Sequence, residues 1–335
     1  MTVLVTGASG FLGGALTQAL VIRGEDVRIL ARRTSDLCHL ENLPIDIAYS
    51  DLDDKASLTL AVQGVRVVYH CAGLATDWAP WEAFYQTNVG GVQNLLGAIE
   101  EVGGVQRFLH ISTSDVYGYP REACDESHPI TNVGLPYNRS KCLGEQAVWN
   151  WYRKTGIPTT VIRPVSIYGP RGKDFVTEIA DLLLKKQMVL IDGGECPAGL
   201  LYVDNAVEGI IQAAESPQTV GQAYNLRDET NETWGEYIEA LARGLGTDAP
   251  WIKLPGMLAL GLAAISEAVY SVLHVRSQPL LTRHAVYILI RDQGYLIGKA
   301  QRDFGFRSIV TFAEGVERSL AWFRSEAGRS AVPGD

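Results

Sequence analysis

The chain has 335 residues with 29 basic and 38 acidic side chains, a net charge of −9, and this acidic balance argues against a nucleic-acid partner, which would ask for a basic face. Its five cysteines (Cys38, Cys71, Cys124, Cys142, Cys196) form no CxxC pair, so free thiols in a reducing, cytoplasmic setting are expected; its six histidines form no HExxH-like cluster, so each is expected to be packed or at the surface and no metal is predicted. No Pro/Ser-rich or charged linker interrupts the chain, which predicts one unit, with two lobes at most, built around a small-molecule site.

The opening "MTVLVTG" reads as structure and not as a signal peptide. Residues 2–6 form an apolar strand, followed by "TGASGFLG" and the helical pattern "FLGGALTQALVIRG" that Gly24 closes. In that turn Gly7 permits the bend, Gly10 lets backbone approach a pyrophosphate, and Gly13 lets helix pack on strand. Ser9, Phe11 and Leu12 complete the anion-binding helix N-terminus.

The second strand, "DVRILAR", ends in Arg32 and Arg33, where an enzyme for NAD would place an acidic residue on the ribose 2′-hydroxyl. Arginine suits a 2′-phosphate, so NADP(H) is preferred and NAD(H) remains possible. In "SDLDD" Asp51, beside Leu52, could accept from an adenine amino group, and in "HCAG" Cys71, Ala72 and Gly73 would let backbone lie against the cofactor.

Further strands are expected at 45–48, 65–71, 107–112 and 159–163, with helices between them at 88–103 and 138–156. Alternation of this kind predicts an α/β fold, a doubly wound parallel sheet that binds its ligand at the carboxyl ends of the strands. "FLHISTSDVYG" is a strand ending in hydroxyls, of which Thr113 or Ser112 could donate to a substrate oxygen. "PYNRSK" then places Tyr137 and Lys141 four apart at a helix start, on one face. An ammonium and a nicotinamide cation nearby would lower the tyrosine pKa toward neutrality and make it a proton-transfer group.

Beyond residue 170 the alternation loosens. "LLYVDNAVEGIIQAAE" returns to a strand and a helix capped by Asp204, and "TFAEGVERSLAWFR" is a closing amphipathic helix. The apolar run 257–275 carries Glu267 and is expected as a buried helix rather than a membrane span or an interfacial one. Trp78 and Trp81 could wall an apolar pocket or simply pack under their loop.

The glycine turn, "HCAG", "NVGGVQNLL", "STSDVYG", "YNRSK" and "RPVSIYGP" come in the order and spacing of the extended short-chain dehydrogenase/reductases, the NAD-dependent epimerase/dehydratase family, which the chain resembles over nearly its whole length. The resemblance implies a Rossmann domain with a catalytic triad of Thr113, Tyr137 and Lys141, with Asn88 facing the site and Pro164 supporting the nicotinamide. It also implies a homodimer through 88–103 and 138–155. Residues 1–170, with 200–227 returning, would bind the dinucleotide; 171–199 and 228–325 would form a smaller, mostly helical substrate lobe; 326–335 would be a tail.

Dehydratases of this family follow the threonine with Asp and Glu; here Ser114 and Asp115 stand there and face the substrate, so elimination chemistry is doubtful. The second half is similar to the 3β-hydroxysteroid dehydrogenase and 2-alkyl-3-oxoalkanoate reductase branch. That implies interconversion of a ketone and a secondary alcohol on a largely apolar, steroid-like or polyketide-like molecule. A sugar-nucleotide epimerase or decarboxylase with recycled NAD is the alternative, and Arg171, Lys173 or Arg227 could then hold a diphosphate.

Overall fold

The computed structural model describes residues 2–275 and 277–325; the predicted tail, 326–335, lies outside the described residues. In chain order the first half runs β1 (Thr2–Thr6), α1 (Phe11–Ile22), β2 (Asp26–Ala31), β3 (Asp46–Tyr49), α2 (Lys55–Val62), β4 (Val67–His70), α3 (Trp81–Tyr85), α4 (Gly91–Val102), β5 (Arg107–Ile111), α5 (Pro136–Thr155) and β6 (Thr159–Pro164). The second half follows with β7 (Ser166–Tyr168), α6 (Glu178–Leu184), β8 (Leu190–Ile191), β9 (Leu200–Tyr202), α7 (Val203–Glu215), β10 (Gln222–Leu226), α8 (Trp234–Leu245) and β11 (Lys253–Leu254). It closes with α9 (Gly256–Val272), α10 (Arg283–Ile290), α11 (Gly298–Phe304) and α12 (Phe312–Arg324).

Seven strands form one parallel sheet in the order β10-β6-β5-β4-β1-β2-β3. The order reverses between β1 and β4, and such a switch point opens a crevice outside the carboxyl ends of the strands. Both faces of these strands are apolar because helices cover both. On one face Leu16, Leu20, Val207 and Ile210 of α1 and α7 pack against Val5, Ile29 and Leu109; on the other, Leu58, Leu95, Ile99 and Val148 pack against Leu4, Val68 and Phe108. A further core of Tyr168, Leu183, Leu200, Trp234, Tyr237 and Leu320 joins β7 and β9 to α6, α8 and α12.

Three details depart from the sequence pattern. The helix expected at 88–103 begins earlier, at Trp81, and widens into a π turn at Gln86–Gly90 before α4. Asp204 is not the cap of α7; the N-cap is Tyr202, and Asp204 lies in the first turn, paired with Arg318 at 3.2 Å. The expected buried helix at 257–275 is instead largely exposed: α9 buries Gly256, Ala259 and Ala263, while Met257, Ile265 and Val272 are 79%, 64% and 76% exposed. Small residues allow close approach along one stripe, and the larger apolar side chains point away from the molecule. No helix among the described residues is long and apolar enough to cross a membrane.

Candidate active site

A cleft of about 1100 Å³ opens at the switch point. At its floor Gly7 takes φ +72°, and a Cβ there would lie 2.7 Å from the Ala72 nitrogen; a Cβ on Gly13 would lie 2.3 Å from the Gly7 oxygen. The turn therefore exists only with glycine at both positions, and it brings the bare backbone of 7–13 to the cleft. Ser9, Gly10, Phe11 and Leu12 line it with them, and no side chain caps the N-terminus of α1, which suits an anion.

Arg32, Asp51, Leu52, Cys71, Ala72, Gly73 and Pro164 line the same cleft, so the backbone cradle and its flanks fit a nicotinamide dinucleotide. Arg32 makes no ion pair among the described residues, whereas Arg33 lies outside the cleft with its guanidinium 5.0 Å from the centre of the Tyr49 ring.

Thr113, Ser114, Asp115, Tyr137 and Lys141 meet where β5 ends against the first turn of α5. Of the two hydroxyls at this strand end, Ser112 is committed: its Oγ donates to Glu145 Oε2 at 2.6 Å. Thr113 Oγ1 accepts from the Asp115 N–H at 3.2 Å and gives its own proton to the Tyr137 oxygen, a donor that an oxygen entering the cleft would compete for. Lys141 Nζ donates to the Ile111 carbonyl at 2.8 Å. Burial pushes the Lys141 pKa down to about 8, against Glu145, Asp115 and Cys71.

In the protein alone burial pushes the Tyr137 pKa above its ordinary value, the Asp115 carboxylate adds to this, and the Thr113 hydroxyl only partly offsets it. Lys141 turns to a backbone carbonyl instead, so Tyr137 holds its proton at neutral pH.

Four expected residues do not line the cleft. The Asn88 side chain, in the π turn, accepts from the Leu74 N–H at 2.7 Å and donates to the Leu74 carbonyl and Ser140 Oγ at 3.0 and 2.9 Å, so it pins the loop after β4 from behind. Trp78 Nε1 donates to the Val275 carbonyl at 3.3 Å and its ring meets Tyr270 edge-on; it packs against the α9 end. Trp81 lies under the Arg139 guanidinium, 4.0 Å from the ring centre. The Arg227 guanidinium bonds to the carbonyls of Tyr295, Asp228 and Thr230 and is consumed there.

Residues 3–226 match the NAD dependent epimerase/dehydratase family. The chain belongs to this family. Within it, the chain is 30% identical over 99% of its own length and 99% of its relative's to the 4-hydroxy-2-methyl-3-oxo-4-farnesyl-3,4-dihydroquinoline-1-oxide ketoreductase of Stigmatella aurantiaca. It is 28% identical to the 2-alkyl-3-oxoalkanoate reductase of Stenotrophomonas maltophilia, over 96% of this chain and 99% of that one. A variant of a dTDP-glucose 4,6-dehydratase from Streptomyces venezuelae, solved with NAD, shares the fold at a TM-score of 0.81 and 23% identity, over 98% of both chains. The protein is accordingly an NAD(P)-dependent oxidoreductase of the extended short-chain dehydrogenase/reductase type.

This family member carries one group that the sequence pattern did not single out. His284, on α10, enters the catalytic end of the cleft with Nδ1 2.8 Å from Asp77 Oδ1 and Nε2 2.8 Å from Asp115 Oδ2. Its ring centre lies 5.3 Å from that of Tyr137. The residues come from three segments, 169 positions apart between Asp115 and His284, and no local spacing announces them.

Proposed function

We propose that this protein is an NADP(H)-dependent reductase of a largely apolar, steroid-like or polyketide-like ketone, interconverting it with the secondary alcohol. The observation that carries this reading is the cleft wall beyond Tyr137, built by Ile167, Phe175, Ile179, Trp234, Leu281 and Ile288. A diphosphate would ask for unpaired cations there. Arg227 is consumed elsewhere, Lys173 stands 3.7 Å from Glu178, and Asp77, Asp115 and Asp174 share the space; Arg171 also lines the cleft, but against α1, where its guanidinium lies 3.0 Å from the place a Gly14 Cβ would take. By name, the two curated relatives act on a farnesyl-bearing 3-oxo dihydroquinoline oxide and a 2-alkyl-3-oxoalkanoate, which supports a ketone with apolar substituents. The unpaired Arg32 supports NADP over NAD.

When bound, the nicotinamide supplies hydride to the carbonyl carbon or takes it back. Tyr137, which holds its proton, donates it to the carbonyl oxygen as charge gathers there. Thr113 donates a second hydrogen bond to the same oxygen. Lys141, fixed on the Ile111 carbonyl, would hold the nicotinamide ribose. We read 1–170 with 200–227 as the dinucleotide lobe and 171–199 with 228–325 as the substrate lobe, paired into a homodimer through the outer faces of α4 and α5. The unbonded cysteines support a cytoplasmic setting.

The test is NADPH oxidation by the purified protein with a panel of neutral apolar ketones, in wild type and Tyr137→Phe. Turnover that falls about 10³-fold in the phenylalanine variant, with NADPH affinity kept, supports the reading. Retention of most turnover would remove Tyr137 from the chemistry.

A further inference from the structure

We infer that His284 is a positioning residue of this reaction: clamped between the carboxylates of Asp77 and Asp115, it holds α10 across the cleft and occupies Asp115, leaving Tyr137 as the group that transfers a proton there. The inference deepens the reductase reading and rests on it for its kinetic arm.

The clamp joins three elements. Asp77 belongs to the loop after β4 that Asn88 pins through Leu74. Asp115 stands in the turn after β5, its N–H bonded to Thr113. His284 lies in the first turn of α10, and the helix N-cap, Thr282, gives its hydroxyl to the other Asp77 oxygen at 2.7 Å. Asp77 therefore receives two donors from one helix start, and the imidazole nitrogens each face a different carboxylate. Only an imidazolium can donate from both nitrogens at once.

The charged and titratable groups around His284 agree with that state. Asp77 and Asp115 face its nitrogens, Tyr119 and Tyr137 face its ring at 5.8 and 5.3 Å, and the Asp174 carboxyl feels its charge. On its own helix, Arg283 is already paired with Glu267 at 2.6 Å. Burial opposes the cation, but Asp115 and Asp77 outweigh it and push the His284 pKa up to about 10.

The clamp has two chemical consequences. Asp115 occupies the position of the dehydratase-type carboxylate, and its Oδ2 is held by His284. The cation also offsets the Asp115 field at Tyr137, and α10 carries Ala285 and Ile288 into the cleft wall, with Leu281 just before its cap.

The experiment pairs imidazole ¹H–¹⁵N spectra with steady-state reduction of a neutral 3-oxo ester, ethyl 2-methyl-3-oxobutanoate, by NADPH between pH 6 and 10. It uses wild type, His284→Gln and Asp77→Asn; the last keeps the imidazole and removes the clamp end farther from the chemistry. The expected result is an imidazolium pattern for His284 that persists at pH 8.5 in the wild type. With it, kcat falls about tenfold to a hundredfold in both variants at an NADPH KM unchanged within about twofold. Beyond the loss above about pH 8 that Lys141 gives every form, the wild type declines further toward pH 10, and this second step is absent from His284→Gln. An imidazole titrating near pH 6.5, or variants with wild-type kcat and pH profile, would overturn the inference. A wild type that reduces no ketone with NADPH would overturn the functional reading alone, and the spectra then decide the clamp.

Discussion

Arg163 closes on Glu145 inside the protein, with its Nε 3.2 Å from both carboxylate oxygens, Ser112 donating to the same carboxylate and the Arg163 NH1 donating to the Tyr117 hydroxyl at 2.8 Å. Glu145 stands one helical turn beyond Lys141, Ser112 precedes Thr113, and Arg163 precedes Pro164, so one buried ion pair fixes the three segments that build the site. Both side chains are nearly inaccessible, at 0% and 5%. Glu145→Gln leaves a buried guanidinium with half its partner, and a loss of about 3 kcal/mol in urea unfolding is expected. A change below about 1 kcal/mol would show that the pair does not hold these segments.

The two arginines after β2 are predicted to differ. Arg32→Ala raises the KM for NADPH about tenfold and leaves that for NADH nearly unchanged, because a 2′-phosphate loses its cation. Arg33→Ala, at the Tyr49 ring and outside the cleft, leaves the ratio as it was. Equal effects of both on NADPH and NADH would remove the preference for NADP.

Along α9 the exposed and buried stripes respond oppositely. Met257→Gln and Ile265→Gln change unfolding free energy by no more than about 0.5 kcal/mol, as surface substitutions do. Ala263→Leu overpacks the inner stripe and costs about 1–3 kcal/mol. Large losses in the glutamine variants would mean that this face is covered.

The His284 pair gives stability a pH dependence of known sign. Its folded pKa, about 10, lies above the ordinary 6.5, so its contribution is full below about pH 6.5 and is lost as pH rises through about 10. Melting temperatures of wild type and Asp77→Asn should therefore lie farthest apart near pH 6 and converge toward pH 10. A gap that widens with pH contradicts the assignment.

Much of the nucleotide end was legible because it is local: Gly7 and Gly13 follow a strand within one turn, and Tyr137 and Lys141 share a helix face. The parallel alternation was legible for the same reason, through short periodic segments. What the pattern missed is made by distant segments or by competition for partners. Ser112 and Thr113 look alike until Glu145 claims one of them. Asn88 turns to Leu74 and Trp78 to the end of α9, although both sit near the site along the chain. In the protein alone burial and Asp115 raise the Tyr137 pKa, a competition that the local spacing of Tyr137 and Lys141 does not show. His284 gains its role from two carboxylates that only the folded chain places against it.

The most direct test of the central claim is a balance of nucleotide and product in one reaction. The purified protein is denatured to weigh any nucleotide it retains, and a second portion is incubated with NADPH and apolar ketones or with UDP-sugars. The account predicts exchangeable nucleotide and one NADPH consumed for each alcohol formed. Tightly retained, stoichiometric NAD⁺, with UDP-sugar converted at no net change in nicotinamide, would contradict it and make the protein an epimerase or decarboxylase.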